Sequence, residues 1–161
     1  MHSCNAPVPP EIARLARGLA SECFDATPRD RHTLVIKRLG EGHPPELARQ
    51  IRSKLSGAAP FEARITEIDL FQNPPVGRRP VAYLAIESPG LMAIHRDLCE
   101  RFEPVEGFEG DEYDPHVTIA RGGDAGQLAG REIEPITWTV ESLFVLSPEY
   151  GEPVERLSLP I

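Results

Sequence analysis

Apolar residues recur along this chain at two spacings, and the switches between them mark out its elements. Residues 3–8 read as a short strand that Pro9 and Pro10 end. Over residues 11–24, Ile12, Leu15, Ala16, Leu19, Ala20 and Cys23 recur at intervals of three, four and seven, the stripe of an amphipathic helix, with Glu11 in its first turn. After a turn over 25–29, residues 30–37 form a strand that closes with Arg38, Leu39 and Gly40. Pro44 and Pro45 open a second helix over 46–55, with Leu47, Ile51 and Leu55 along one side. Two strands come next, 63–72 and 81–88, joined by an exposed, proline-rich loop. Ser88 and Pro89 start a third helix that runs to Phe102, with Leu91, Ile94, His95, Leu98 and Phe102 on one face. Residues 103–113 hold two glycines and five acids and read as a mobile loop leading to a strand over 114–121. A small-residue connector, 122–130, precedes two alternating runs, 136–146 and 154–160, which read as a terminal hairpin around 147–151.

This order lacks a regular strand–helix alternation, so the predicted class is α+β: two sheets with helices packed outside and a groove between them. At 161 residues the chain is long enough to bury roughly two thirds of its unfolded surface, which suits one unit over 1–161. No run approaches the roughly 18 apolar residues of a membrane span, and the first residues have neither the basic nor the apolar part of a signal peptide. A cytoplasmic monomer is expected. Cys4, Cys23 and Cys99 are odd in number and far apart, which argues for buried thiols rather than a disulfide framework. Neither they nor His2, His32, His43, His95 and His116 show a metal-binding spacing, so no metal and no cofactor are expected; His95 reads as a structural histidine on its helix.

The net charge of −8 argues against a broad nucleic-acid-coating surface, which needs many cations to neutralise phosphates. A single phosphate-bearing end group remains compatible, because screening over about 8 Å lets a few local arginines outweigh distant acids. Fifteen of the seventeen basic residues are arginine, leaving only Lys37 and Lys54.

The most chemically pointed stretch is Asp114-Pro115-His116-Val117-Thr118-Ile119-Ala120-Arg121. In a strand, His116, Thr118 and Ala120 line one face while Val117 and Ile119 point into a core. An imidazole that titrates near neutrality then stands beside a hydroxyl donor, a pairing suited to holding a phosphate oxygen and moving a proton next to it. Upstream, Asp30-Arg31-His32-Thr33-Leu34-Val35-Ile36-Lys37 is a second, imperfect version with His32 and Thr33 adjacent. If Thr33 faces the cleft in a regular strand, Arg31 takes the histidine position and His32 points away. The other register turns His32, Leu34, Ile36 and Arg38 to the cleft and buries Lys37, which is costly if unpaired. A bulge at Arg31 or His32 would bring His32 in without reversing the rest.

With these two strands the chain resembles the 2H phosphoesterase family, which includes 2′-5′ RNA ligases and RNA 2′,3′-cyclic phosphodiesterases. The likeness spans the opening strand and helix, the first motif strand ending in Leu39-Gly40, the unbroken match from Pro115 to Arg121, and the closing strands. It implies two pseudo-symmetric lobes of mainly antiparallel sheet with outer helices and a central cleft. It also implies a metal-independent phosphoesterase acting on 2′,3′-cyclic phosphates or 2′-5′ linkages of RNA or nucleotides. On the family pattern His32 would donate a proton and His116 would accept one, while Thr33 and Thr118 bind the phosphate.

Arg31, Lys37 and Arg121 are further phosphate-binding candidates, although strict alternation puts Arg121 on the face of Val117 and Ile119, where it would be a structural ion-pair partner. Tyr113 is a candidate to stack on a base, or to pack. RNA ends or small nucleotides are the expected partners. The rival reading keeps the fold and drops the reaction: with Arg31 in place of the first histidine, the cleft would bind phosphorylated nucleotides or RNA ends without cleaving them. A third reading makes the motif strands mere core.

Overall fold

Among the described residues, all three α-helices begin on a proline, whose fixed φ suits the first turn and whose missing N–H is one the helix leaves unpaired there anyway. They are α1 (Pro10–Ala20), α2 (Pro44–Lys54) and α3 (Pro89–Cys99) in a computed structural model that describes residues 1–149 and 151–161. The Ser88 hydroxyl caps α3 by accepting the Leu91 N–H at 3.1 Å. Helix α1 stops at Ala20, short of the end its apolar stripe predicts. Beyond Ala20, the N–H groups of Phe24, Asp25 and Ala26 all donate to the carboxylate of Asp124, and Asp25 Oδ1 accepts the Asp124 N–H in return. A partner a hundred residues away thus takes the donors that would have continued the helix, and Phe24 is left exposed.

Among the described residues, nine strands keep the expected order, with one split and one addition: β1 (His2–Pro7), β2 (Thr27–Pro28), β3 (Thr33–Gly40), β4 (Phe61–Phe71), β5 (Val81–Glu87), β6 (His116–Arg121), β7 (Ile136–Val140), β8 (Ser142–Ser147) and β9 (Glu152–Ser158). They form two antiparallel sheets, ordered β3-β1-β8-β9 and β2-β6-β5-β4-β7, so the class is α+β. The run 136–146 is not one strand. Its alternation slips where Ser142 and Leu143 are both buried, and the chain there leaves β4's side for β1's. The terminal hairpin is therefore β8–β9, and Tyr150 in its turn lies outside the described residues.

Helix α1 packs Ile12, Ala16, Leu19 and Ala20 toward β6; α3 lies against β3 and β4, and α2 against β8 and β9. Val117 and Ile119 of β6 and Leu34 and Ile36 of β3 join the same apolar core. Their alternating neighbours on these strands face the space between the sheets. Among the described residues, no helix is long and apolar enough to cross a membrane.

Candidate functional site

Where β3 and β6 face each other, a cavity of about 260 Å³ opens, walled also by the end of β4, the β4–β5 loop and residues 107–114. His116 and Thr118 project into it from β6, as period-two alternation predicts. Arg31 and Thr33 project from the entry to β3, and His32 does not reach it. No bulge at Arg31 or His32 rescues the second histidine. His32 lies near Arg17 and Arg29, its Nε2 buried and unbonded; burial first, and those two positive charges next, hold its pKa below the usual value. The expectation that two histidines share the cleft gives way to one histidine and an arginine lining the same cavity.

Bulges do occur, further along both strands. Against β1, Cys4 pairs with Lys37 and Asn5 with Val35, so Ile36 is an extra residue in β3; against β5, Ala82 pairs with Ala120 and Tyr83 with Thr118, so Ile119 is extra in β6. Each extra residue reverses the phase of the strand beyond it. Lys37, which alternation from Thr33 would aim at the cleft, is turned into the core, and Arg38 takes its place. Arg121, which alternation would bury with Val117 and Ile119, is turned into the pocket.

Lys37 is therefore removed from the phosphate candidates: it is fully buried, with Nζ 2.6 Å from Glu109 Oε1, 2.7 Å from the Arg38 carbonyl and 3.1 Å from that of Glu103. Glu109 also accepts the N–H groups of Arg38 and Val105. Together with His95, whose Nδ1 bonds the Ile36 carbonyl at 2.7 Å and whose Nε2 accepts the Gly110 N–H at 3.0 Å, this pins the 103–113 segment that composition alone makes a mobile loop. Tyr113 lines the pocket, but one ring face stacks on His95 at 3.8 Å and its hydroxyl donates to the Val35 carbonyl. It is a strut between that segment and β3, with the His95-facing side closed to a base.

Around His116 the geometry selects a proton state. Its Nδ1 lies 2.7 Å from the Asp114 carbonyl, which can only accept, so Nδ1 carries the hydrogen, and in the neutral ring Nε2 is the nitrogen with the lone pair. The ring sits edge-on to Phe71 and Tyr83, with centroids 5.0 and 5.3 Å away. Burial pushes its pKa below 6.5 against the raising pull of the Asp114 carbonyl and carboxylate, with Arg38 and Arg121 lowering it further. That shift favours the neutral ring, whose Nε2 can accept a proton.

The two threonines differ. The Thr118 hydroxyl has no hydrogen-bond partner among the described residues, whereas the Thr33 hydroxyl donates to the Ala6 carbonyl and accepts from Asn5 Nδ2, both at 3.2 Å. Thr118 is free to grip an oxygen, while Thr33 would first have to release the backbone of β1.

Two arginines that sequence reasoning passed over as ligands complete the wall. Arg29 is placed by its N–H, which bonds the Ile119 carbonyl at 3.0 Å beside the bulge; Arg38 lies over the Phe108 ring at 4.6 Å. Arg38 had a signal, its place on the His32 face of the rejected register, whereas nothing in the sequence singles out Arg29. Among the described residues, no group of three or more metal-ligating side chains comes together.

A family model described as the 2′-5′ RNA ligase superfamily matches residues 8–152. The chain belongs to that superfamily. Solved structures of similar fold include TT0787 of Thermus thermophilus, at 21% identity and TM-score 0.68, covering 98% of this chain and 97% of that one. E. coli LigT complexed with NADP+ matches at 19% identity and TM-score 0.67, over 98% and 96% of the two chains. LigT complexed with 3′-AMP matches at 17% and 0.66, over 99% and 98%. No curated protein sequence matches the chain. At these identities the neighbours establish the fold of a superfamily member, and the chemistry has to be argued from its own pocket.

Proposed function

We propose that the pocket receives the phosphate at the end of an RNA strand or nucleotide, and holds it more readily than it opens a 2′,3′-cyclic phosphate or a 2′-5′ linkage. Thr118 and the arginines bind the phosphate oxygens, and His116 is the one proton acceptor. The observation that carries this reading is Arg31 at the wall where the family pattern calls for the first histidine, with His32 turned away. That LigT, a protein of the same fold, has been captured with NADP+ and with 3′-AMP is consistent with a nucleotide ligand.

Opening a cyclic phosphate needs two proton movements. Attacking water gives one proton to a base as its oxygen bonds phosphorus; the departing ribose oxygen takes one as its bond to phosphorus breaks. His116 Nε2 suits the first. Arg31 can steady the negative charge on the departing oxygen, but a guanidinium is a fixed positive charge and does not serve as a general acid. Losing an acid or base of this kind slows a reaction by roughly 10²–10⁴-fold.

The tautomer of His116 favours a second reading, in which slow one-base hydrolysis is itself the activity. One experiment weighs both: incubation with a nucleoside 2′,3′-cyclic phosphate in chelator across pH 5–9, with binding measured in parallel. The expected result is measurable binding with turnover that is slow, rises through a single limb as His116 loses its proton, and is lost in His116→Ala. Fast turnover on a bell-shaped profile would reveal a second titrating group and sink the proposal.

A further inference from the structure

Four guanidinium groups, those of Arg29, Arg31, Arg38 and Arg121, line the cavity against only two carboxylates, Glu112 and Asp114. With His116 neutral, the wall carries two positive charges in excess, on a chain whose net charge is −8. Among the described residues, Arg29, Arg31 and Arg121 have no carboxylate within salt-bridge distance; Arg38 has one, Glu109 at 3.8 Å, which the buried Lys37 already holds more closely. Arg121 is held from the other side, its Nη1 donating to the Val76 carbonyl at 2.8 Å, and the nearby charge of Arg29 adds to burial in pushing its pKa down. Like charges gathered in excess of their counter-ions in a half-enclosed space cost free energy that a bound anion returns, and the return grows with the anion's charge.

We infer that the preferred ligand is a nucleotide ending in a phosphomonoester dianion, the uncyclised 2′- or 3′-phosphate, rather than the cyclic diester, which carries a single negative charge. The inference rests on the phosphate-end reading above and sharpens it. A monoester offers three terminal oxygens to the free Thr118 hydroxyl and to arginines able to bind in a forked manner, whereas a cyclic diester offers two. It also fits a wall in which one proton-transfer group has been replaced by a fixed positive charge: that exchange favours holding a dianion over expelling a ribose oxygen. Apolar Phe71, Phe108 and Val76 beside the arginines leave room for the nucleoside to shed water.

Titration calorimetry at pH 7.5 and 50 mM salt tests this with adenosine 2′-phosphate, 3′-phosphate and 5′-phosphate, the 2′,3′-cyclic phosphate, inorganic phosphate and adenosine, the cyclic compound being checked for integrity afterwards. The monoesters should bind at least about tenfold more tightly than the cyclic diester, a modest gain for one further unit charge among several guanidiniums. The gap should shrink toward unity in Arg31→Gln and in Arg29→Gln, both exposed residues whose replacement leaves the core untouched. Tighter 2′- or 3′-phosphate than 5′-phosphate supports the inference, whereas 5′-phosphate bound equally or more tightly overturns its assignment to the 2′- or 3′-position. Equal affinity for cyclic and uncyclised phosphates overturns the inference and spares the phosphate-end reading. Binding of adenosine as tightly as its phosphates, or no binding at all, overturns both.

Discussion

Lys37 Nζ lies 2.6 Å from Glu109 Oε1, with neither side chain exposed to solvent, and this contact ties the first motif strand to the segment that closes the pocket. Removing one member strands the other's charge in the core, which costs about 3–5 kcal/mol. Lys37→Met is therefore expected to lower unfolding free energy by that order in chemical denaturation. Adding Glu109→Gln should recover more than half, because the amide oxygen still accepts the Arg38 N–H while no charge is left unpaired.

Restoring a histidine at the arginine position tests the one-base account directly. Arg31→His re-creates the family spacing with Thr33, and turnover of a 2′,3′-cyclic phosphate is expected to rise about ten- to a hundredfold, part of the range a positioned acid supplies. The pH–rate profile should gain a falling limb. An unchanged rate would show that the position, not only the residue type, is unsuited to proton donation.

Stability should fall on the acid side of neutrality. His32, His95 and His116 are all held below 6.5 chiefly by burial, so beneath that pH the unfolded chain takes up protons that the folded one refuses. Their contribution is complete above 6.5 and is lost progressively as pH drops through it. Thermal unfolding at pH 7.5 and 5.0 should show the lower midpoint at pH 5.0; a higher one would mean these rings gain partners on protonation.

Gly77 holds φ at +83°, and a Cβ there would stand 2.6 Å from Arg121 Nη1. Gly77→Ala is expected to cost about 1 kcal/mol through backbone strain. It should also push the guanidinium off the Val76 carbonyl and weaken phosphate binding severalfold. Calorimetry on the variant reads the second effect separately from the first.

Tyr113→Phe removes the hydroxyl that donates to the Val35 carbonyl and leaves the ring on His95. The expected loss is about 1 kcal/mol of stability, with nucleotide affinity unchanged within twofold. A large affinity loss would instead return Tyr113 to the ligand-contacting set.

Much of this protein is legible locally. The three helices arise from prolines at their first turns and from apolar stripes, and His116 with Thr118 faces the pocket because alternation over three residues needs no outside help. That local rule even pointed the right way at the first motif: counting back from Thr33 puts Arg31 in the pocket and His32 outside it. It could not supply the two bulges, because an extra residue is defined only against a partner strand, β1 for Ile36 and β5 for Ile119.

Those two insertions decide which cations line the pocket: Arg38 instead of Lys37, and Arg121 instead of a buried ion-pair partner. Lys37 could enter the core only because Glu109, 72 residues away, arrives to neutralise it. Likewise the run 136–146 divides between two sheets only once β4 and β1 are there to receive its halves. The sequence by itself determined the elements and the face each motif shows over a few residues, since backbone sterics and side-chain period act at short range. Tertiary structure alone decided strand phase past a bulge, the burial of charge and the convergence of four arginines, because each depends on groups that only the folded chain brings together.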